Sequence, residues 1–181
     1  MPKPKPEDLE SFLRRQDAGT LVAVLLELAG AHEPVQARLS RMQIASRPDK
    51  LAATFRKTLA AWKRSTRFFG YREATAFGRE LEDWLDQVAR ELLPHHPPAA
   101  VELFEDFIEA DAAWFGRADD SGGAIGDAVR AACQYWLQAA AACEMPADAW
   151  PGRLLKLYEG DEYGAREHLL RHAHLLLDEP A

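Results

Sequence analysis

Proline and glycine cut this chain at regular places, and between the cuts almost nothing reads as a strand. Ala, Leu, Glu, Arg and Gln fill the intervals, and no convincing run of alternating β-branched residues occurs. The sequence therefore predicts an all-α protein, with helices over 7–16, 18–31, 34–44, 48–67, 71–93, 98–115, 122–143, 147–158 and 163–177. The stretch "SRPDKLAATF" shows how a start is written. Ser46 can cap, Pro48 suits an early position whose N–H needs no partner, and Asp49 complements the helix dipole.

The cuts also recur. Pro48, Pro98 and Pro146 each open a helix that runs to aromatics and a glycine, in "RFFGYRE", "WFGRADD" and "LYEGDEYG". Gly70, Gly116 and Gly160 stand 46 and 44 residues apart. A degenerate period near 45 residues fits about three antiparallel helical hairpins stacked in a solenoid-like row, each glycine ending a helix in the left-handed conformation. On this reading residues 1–6 form a flexible Pro/Lys arm and 7–181 a single all-helical domain, with N-terminal helices over 7–47 and hairpin repeats over 48–181.

A chain of 181 residues can bury roughly 70% of its unfolded surface without disulfides or metals. The longest apolar run, from Leu21, is interrupted by Glu27 and too short to span a bilayer. The start "MPKPKPEDLE" lacks the apolar core of a signal peptide, so the expected compartment is the cytoplasm. Cys133 and Cys143 fall ten residues apart on one helix, roughly 15 Å by helical rise and beyond disulfide reach. Both are expected to be free thiols.

Three stretches, "FFGYREATAFGRELEDWLD", "RADDSGGAIGDAVRAAC" and "LYEGDEYGAREHLL", give the chain from Leu21 to its end a resemblance to a family of uncharacterised bacterial helical-repeat proteins. Some of these are associated with SWIM-type zinc-finger modules. The resemblance implies a helical-repeat fold and no catalytic residue. A SWIM finger needs a Cys-x-Cys pair followed by Cys-x-His, which two isolated cysteines cannot supply.

The stretch most like chemistry is "DDSGGAIGDAVRAAC", with Asp119, Asp120, Ser121 and Asp127 as a candidate polar site. Read as a calcium loop from Asp119, it offers Gly123, Ala124 and Arg130 where an EF-hand needs an oxygen ligand, a glycine and a bidentate acid. Read as a phosphate cradle, it lacks the P-loop lysine and places three carboxylates against the anion. The simpler reading is a helix start in which Asp120 or Ser121 caps while Gly122, Gly123 and Gly126 let the first turns approach Trp114 and Phe115. His168 and His172 share a helix face at i and i+4, but no further ligands complete a zinc set, and no metal or cofactor is expected. His95 and His96 read as a helix end before prolines. Glu102, Asp106 and Glu109 form an acidic stripe on the helix that also carries Glu105 and Asp111, and such a stripe is normally solvated.

Charge is distributed unevenly. Residues 1–70 hold 13 Lys and Arg against 7 Asp and Glu, whereas 71–181 hold 9 against 22. On a helical projection of 48–67, Lys50, Arg56, Lys57, Lys63, Arg64 and Arg67 occupy one arc opposite Leu51, Phe55, Leu59 and Trp62. This predicts a cationic face for a protein partner with an acidic surface. Nucleic acid is disfavoured by the acidic remainder, membrane binding by the need to bury the aromatic side, and pairing of two copies is left open. The function expected is a cytoplasmic interaction or adaptor module rather than an enzyme. The alternative is a small helical enzyme or regulator with a polar site near Asp119–Asp127 and the acidic helix 101–111.

Overall fold

A computed structural model describes residues 8–44 and 47–176, so the expected arm over residues 1–6 and the expected cap Ser46 lie outside the described residues. The chain divides into two compact units, Met1–Ile44 and Ala45–Ala181. The described residues are helical with short connections and include no strand; a single isolated bridge joins Phe69 and Ala118.

In the first unit, α1 (Leu9–Arg14), α2 (Ala18–Ala31) and α3 (Glu33–Ile44) follow the expected boundaries closely. Asp17 caps α2, accepting from the backbone N–H of Thr20 at 2.9 Å and from its hydroxyl at 2.6 Å; these bonds hold the carboxyl below the usual carboxylate range. Helices α2 and α3 pack as a hairpin. None of the three helices buries a residue.

The second unit contains the core. Its helices are α4 (Pro48–Arg64), α5 (Tyr71–Glu91), α6 (Pro97–Ile108), α7 (Asp111–Phe115), α8 (Ala124–Ala141), α9 (Trp150–Glu159) and α10 (His168–Arg171), with 3-10 turns at Ala147–Ala149 and Ala173–Leu175. Helix α8 is central because its small residues let neighbours come close. Ala128, Ala132, Ala139 and Ala140 are buried along it beside Ile125, Val129, Trp136 and Leu137. Where α5 meets it, a Cβ on Gly78 would lie 2.7 Å from the Cβ of Ala124, so only glycine permits that approach. Larger rings fill the remaining space. Trp84 stacks on Phe107 and meets Phe55 and Trp62 edge-on, while Trp136 meets Trp150 edge-on. The buried Trp114 donates its indole N–H to the carbonyl of Phe107 at 3.0 Å.

Three expectations change. First, α8 packs on both α5 and α6, and α4 packs on α6; this long-range packing argues against a simple repeat solenoid. Second, the helix expected over 98–115 breaks after Ile108 into α6 and α7. Ala110 N–H bonds back to Phe107 O, three residues away, and the chain then turns Asp111 inward. Third, the helix expected over 163–177 starts only at His168 and is split into α10 and a 3-10 turn, because Asp161 captures the backbone N–H groups of Tyr163, Gly164, Ala165 and Arg166 at 2.8–3.2 Å. Gly70, Gly116 and Gly160 are not left-handed; the described residues with positive φ are Gly123 at 77° and Gly164 at 73°.

Candidate interaction surface

Helix α4 has one apolar face and one charged face. Leu51, Ala52, Phe55 and Leu59 are buried, whereas Lys50, Arg56, Lys57, Lys63, Arg64 and Arg67 are all exposed. The six cations are not equivalent. Arg56 reaches across to Glu102 on α6 at 2.5 Å. Arg67 lies beyond the end of α4, which stops at Arg64; it pairs with Glu73 at 2.8 Å and sits over the ring of Phe69. Lys50, Lys57, Lys63 and Arg64 have no ion pair among the described residues. Four of the six predicted cations are thus without an ion pair among the described residues, and the other two are engaged by Glu102 and Glu73.

The end of α4 is fixed by a residue the sequence reading passed over. The guanidinium of Arg117 donates to the carbonyls of Trp62 at 2.6 Å and Ser65 at 2.9 Å, satisfying acceptors that a helix C-terminus leaves open. Burial lowers its pKa. The connection to α5 is then held by backbone pairing: Phe69 N–H donates to Arg117 O at 2.7 Å, and Asp119 N–H to Phe69 O at 3.0 Å. Phe69 stacks face to face on Phe77 at 4.1 Å. The hint in the sequence was "FGRADD", a cation beside a glycine turn, but its acceptors lie more than fifty positions away.

The glycine-rich start resolves into capping. Asp120 accepts the N–H groups of Ile125 at 2.8 Å and Gly126 at 3.0 Å, with Gly123 in the left-handed region between them. Ser121 donates its hydroxyl to Asp119 at 2.5 Å, which lowers the Asp119 pKa, and Asp127 pairs with Arg130 at 2.6 Å. Asp120 is thus the cap of the two residues considered. The role expected of Gly126 changes: a Cβ there would meet the Arg130 guanidinium at 3.2 Å rather than Trp114 or Phe115.

The acidic helix is likewise engaged. Glu105 pairs with Arg153, Glu109 with Lys156 at 3.2 Å, and Asp111 with Arg166. The last pair is buried: Arg166 Nε donates to Asp111 Oδ2 at 2.8 Å and Nη1 to Leu157 O at 2.7 Å. A Cβ on Gly160 would meet that same Nη1 at 2.7 Å, which explains this glycine. On α5, burial raises the pKa of Glu82, reinforced by Asp127, Asp86 and Asp83. Tyr135 donates to Asp86 at 2.5 Å, and this bond, with burial, pushes its hydroxyl up to about 12.

His168 shares a polar contact with Gln134 at 3.3 Å, its ring meets that of His172 edge-on, and burial lowers its pKa. His96 caps α6, accepting from Ala99 N–H, so it opens a helix rather than closing one. Among the described residues no three His, Cys, Asp or Glu side chains assemble as a metal-binding group, and no helix is long and apolar enough to cross a membrane. Both cysteines are free, and burial pushes the Cys133 thiol up to about 12.

Fold and surface together define an all-α protein with a core centred on one alanine-rich helix and a cationic helix face on its exterior. A protein family described as "Family of unknown function (DUF6880)" matches residues 10–180, and the chain belongs to it. No curated protein and no solved structure matches it.

Proposed function

We propose that this chain is an interaction or adaptor module that holds the acidic surface of a protein partner on the exposed face of α4. One observation carries the reading: Lys50, Lys57, Lys63 and Arg64 stand exposed and, among the described residues, without an ion pair on a helix whose opposite face is locked into the core. Lys50, Lys57 and Arg64 fall seven residues apart, a rise of about 10.5 Å per step. A row of cations at that spacing matches carboxylates seven residues apart on one side of a partner helix. Such a row speeds encounter and fixes orientation more than it adds raw affinity. The free thiols support a reducing compartment, the cytoplasm. The deep acidic excess of residues 71–181 favours a protein over a nucleic-acid backbone, whose dense charge it would repel.

The test is charge reversal. Lys57→Glu, Lys63→Glu and Arg64→Glu together should change folding stability by no more than about 1 kcal/mol, because exposed charges contribute little. Capture of partners from the native host, compared at low and high salt, should fall for wild type as salt rises and be lost in the triple variant. Capture indifferent to both changes would show that the face is only solvated.

A further inference from the structure

Shortly after Lys63 and Arg64 in the chain, two aromatic rings stand in solvent. Phe68 is 61% and Tyr71 63% exposed, and neither makes a ring contact among the described residues. Single exposed apolar residues are ordinary on protein surfaces. These two stand three positions apart in "KRSTRFFGYR", where Lys63, Arg64, Arg67 and Arg72 are the charges and no acid intervenes before Glu73. Glu73 is itself occupied by Arg67.

The segment that carries them is held in place. Arg117 fixes its start through Trp62 and Ser65, the backbone of Phe69 is paired to Arg117 and Asp119, and the ring of Phe69 is stacked on Phe77. Phe69 therefore anchors the connection while its neighbour Phe68 faces water. A pinned segment presenting two large rings loses little conformational freedom on binding. Aromatic side chains beside arginine are also the residues in which binding energy concentrates at interfaces. Phe68 lies four residues from Arg64, at most about 14 Å along an extended chain, so one short ligand can span both.

We infer that Phe68 and Tyr71 are the apolar anchor of the α4 surface, and that the occupant is an acidic protein segment carrying at least one large apolar side chain. Its carboxylates would meet Lys57, Lys63 and Arg64, and its apolar residue would cover the two rings. This rests on the reading of α4 as the partner-binding face. A single-stranded nucleic acid also combines negative charge with stacking, but residues 71–181 carry 22 acids against 9 bases, which opposes an extended polyphosphate more than a short peptide.

The experiment uses the full chain and three fluorescein-labelled probes in anisotropy titrations: a Glu/Ser dodecapeptide with a central Trp-Leu pair, the same peptide with Ala-Ala, and an oligothymidylate of equal length. Wild type should prefer the Trp-Leu peptide over the Ala-Ala peptide by about tenfold. Phe68→Ala with Tyr71→Ala should erase that preference and leave both peptides bound weakly and in a salt-sensitive way, with unchanged circular dichroism. The Lys57→Glu, Lys63→Glu, Arg64→Glu variant should lose both peptides. A preference that survives the aromatic substitutions, or is absent in wild type, overturns the anchor while leaving the cationic face standing. Peptide binding indifferent to charge reversal overturns the cationic face and the anchor with it. Tighter binding of the oligothymidylate than of either peptide makes the surface a nucleic-acid site and overturns the proposal.

Discussion

At the scale of single residues, the most consequential contact joins Asp111 to Arg166, both nearly inaccessible and 55 positions apart in sequence. Breaking a buried pair strands the surviving charge, at a cost of about 3–5 kcal/mol, whereas replacing both partners by apolar residues removes the desolvation penalty as well. Asp111→Ala should therefore lower stability by that amount in urea denaturation, and Asp111→Leu with Arg166→Met should recover much of it. A double variant no more stable than the single would mean that the pair's bond to Leu157 O matters more than its charge. Cys133 offers a pH test. Its thiol is raised by burial from 9.0 to about 12, so the unfolded chain loses this proton first as pH climbs. Stability from this group is intact below about pH 9 and falls between 9 and 12, with Tyr135, raised from 10.0 to about 12 by its bond to Asp86, adding to the same loss. Wild type should melt at progressively lower temperature over that range, and Cys133→Ala should flatten part of the slope. Below pH 9, alkylation should reach the partly buried Cys143 well before the fully buried Cys133.

At the scale of elements, the start of α8 combines two devices that can be separated. Asp120 satisfies two N–H groups of the first turn, so Asp120→Ala should cost about 0.5–2 kcal/mol. Gly123 supplies a left-handed residue, so Gly123→Ala should cost about 1–2 kcal/mol through backbone strain alone. Gly78→Val should cost about 1–3 kcal/mol by forcing α5 away from Ala124. Thermal melts of the three variants check these values, and an unchanged Gly78→Val would mean that the α5 and α8 approach is slack. These elements also show where the sequence was readable. Starts written in local chemistry were legible: Pro48 opens α4, and Asp120 opens α8. The break between α6 and α7 was not, since "VELFEDFIEADAAWF" keeps a helical pattern throughout and the reason to turn Asp111 inward is Arg166, far along the chain. The delayed start of the last helix, at His168 rather than 163, was hidden similarly, because Asp161 looks like any surface acid until its carboxylate gathers four N–H groups. The cationic face was legible as a periodicity. Which of its members are free was not, because Glu102 and Glu73 claim Arg56 and Arg67 through tertiary and loop geometry.

At the scale of the whole molecule, burial among the described residues is confined to one of the two units. The buried hydrophobic residues run from Leu51 to Leu169, while α1, α2 and α3 contribute none. A hairpin of two helices without a buried residue lacks the apolar burial that offsets the entropy of ordering its chain. Val22, Leu26 and Met42, each more than half exposed, leave it with apolar surface in water. The second unit has its own core. A chain truncated to residues 45–181 should consequently keep its helical circular dichroism, unfold in one cooperative step and melt within a few degrees of the full chain. The isolated residues 1–44 should show little helix and no cooperative transition. The truncated chain should also retain the salt-dependent binding assigned to α4, because Lys57, Lys63, Arg64, Phe68 and Tyr71 all belong to the second unit and are positioned by Arg117 and Phe69 within it. A large loss of melting temperature on truncation would show that the first unit stabilises the core. A loss of binding at unchanged stability would move part of the partner surface onto α2 and α3.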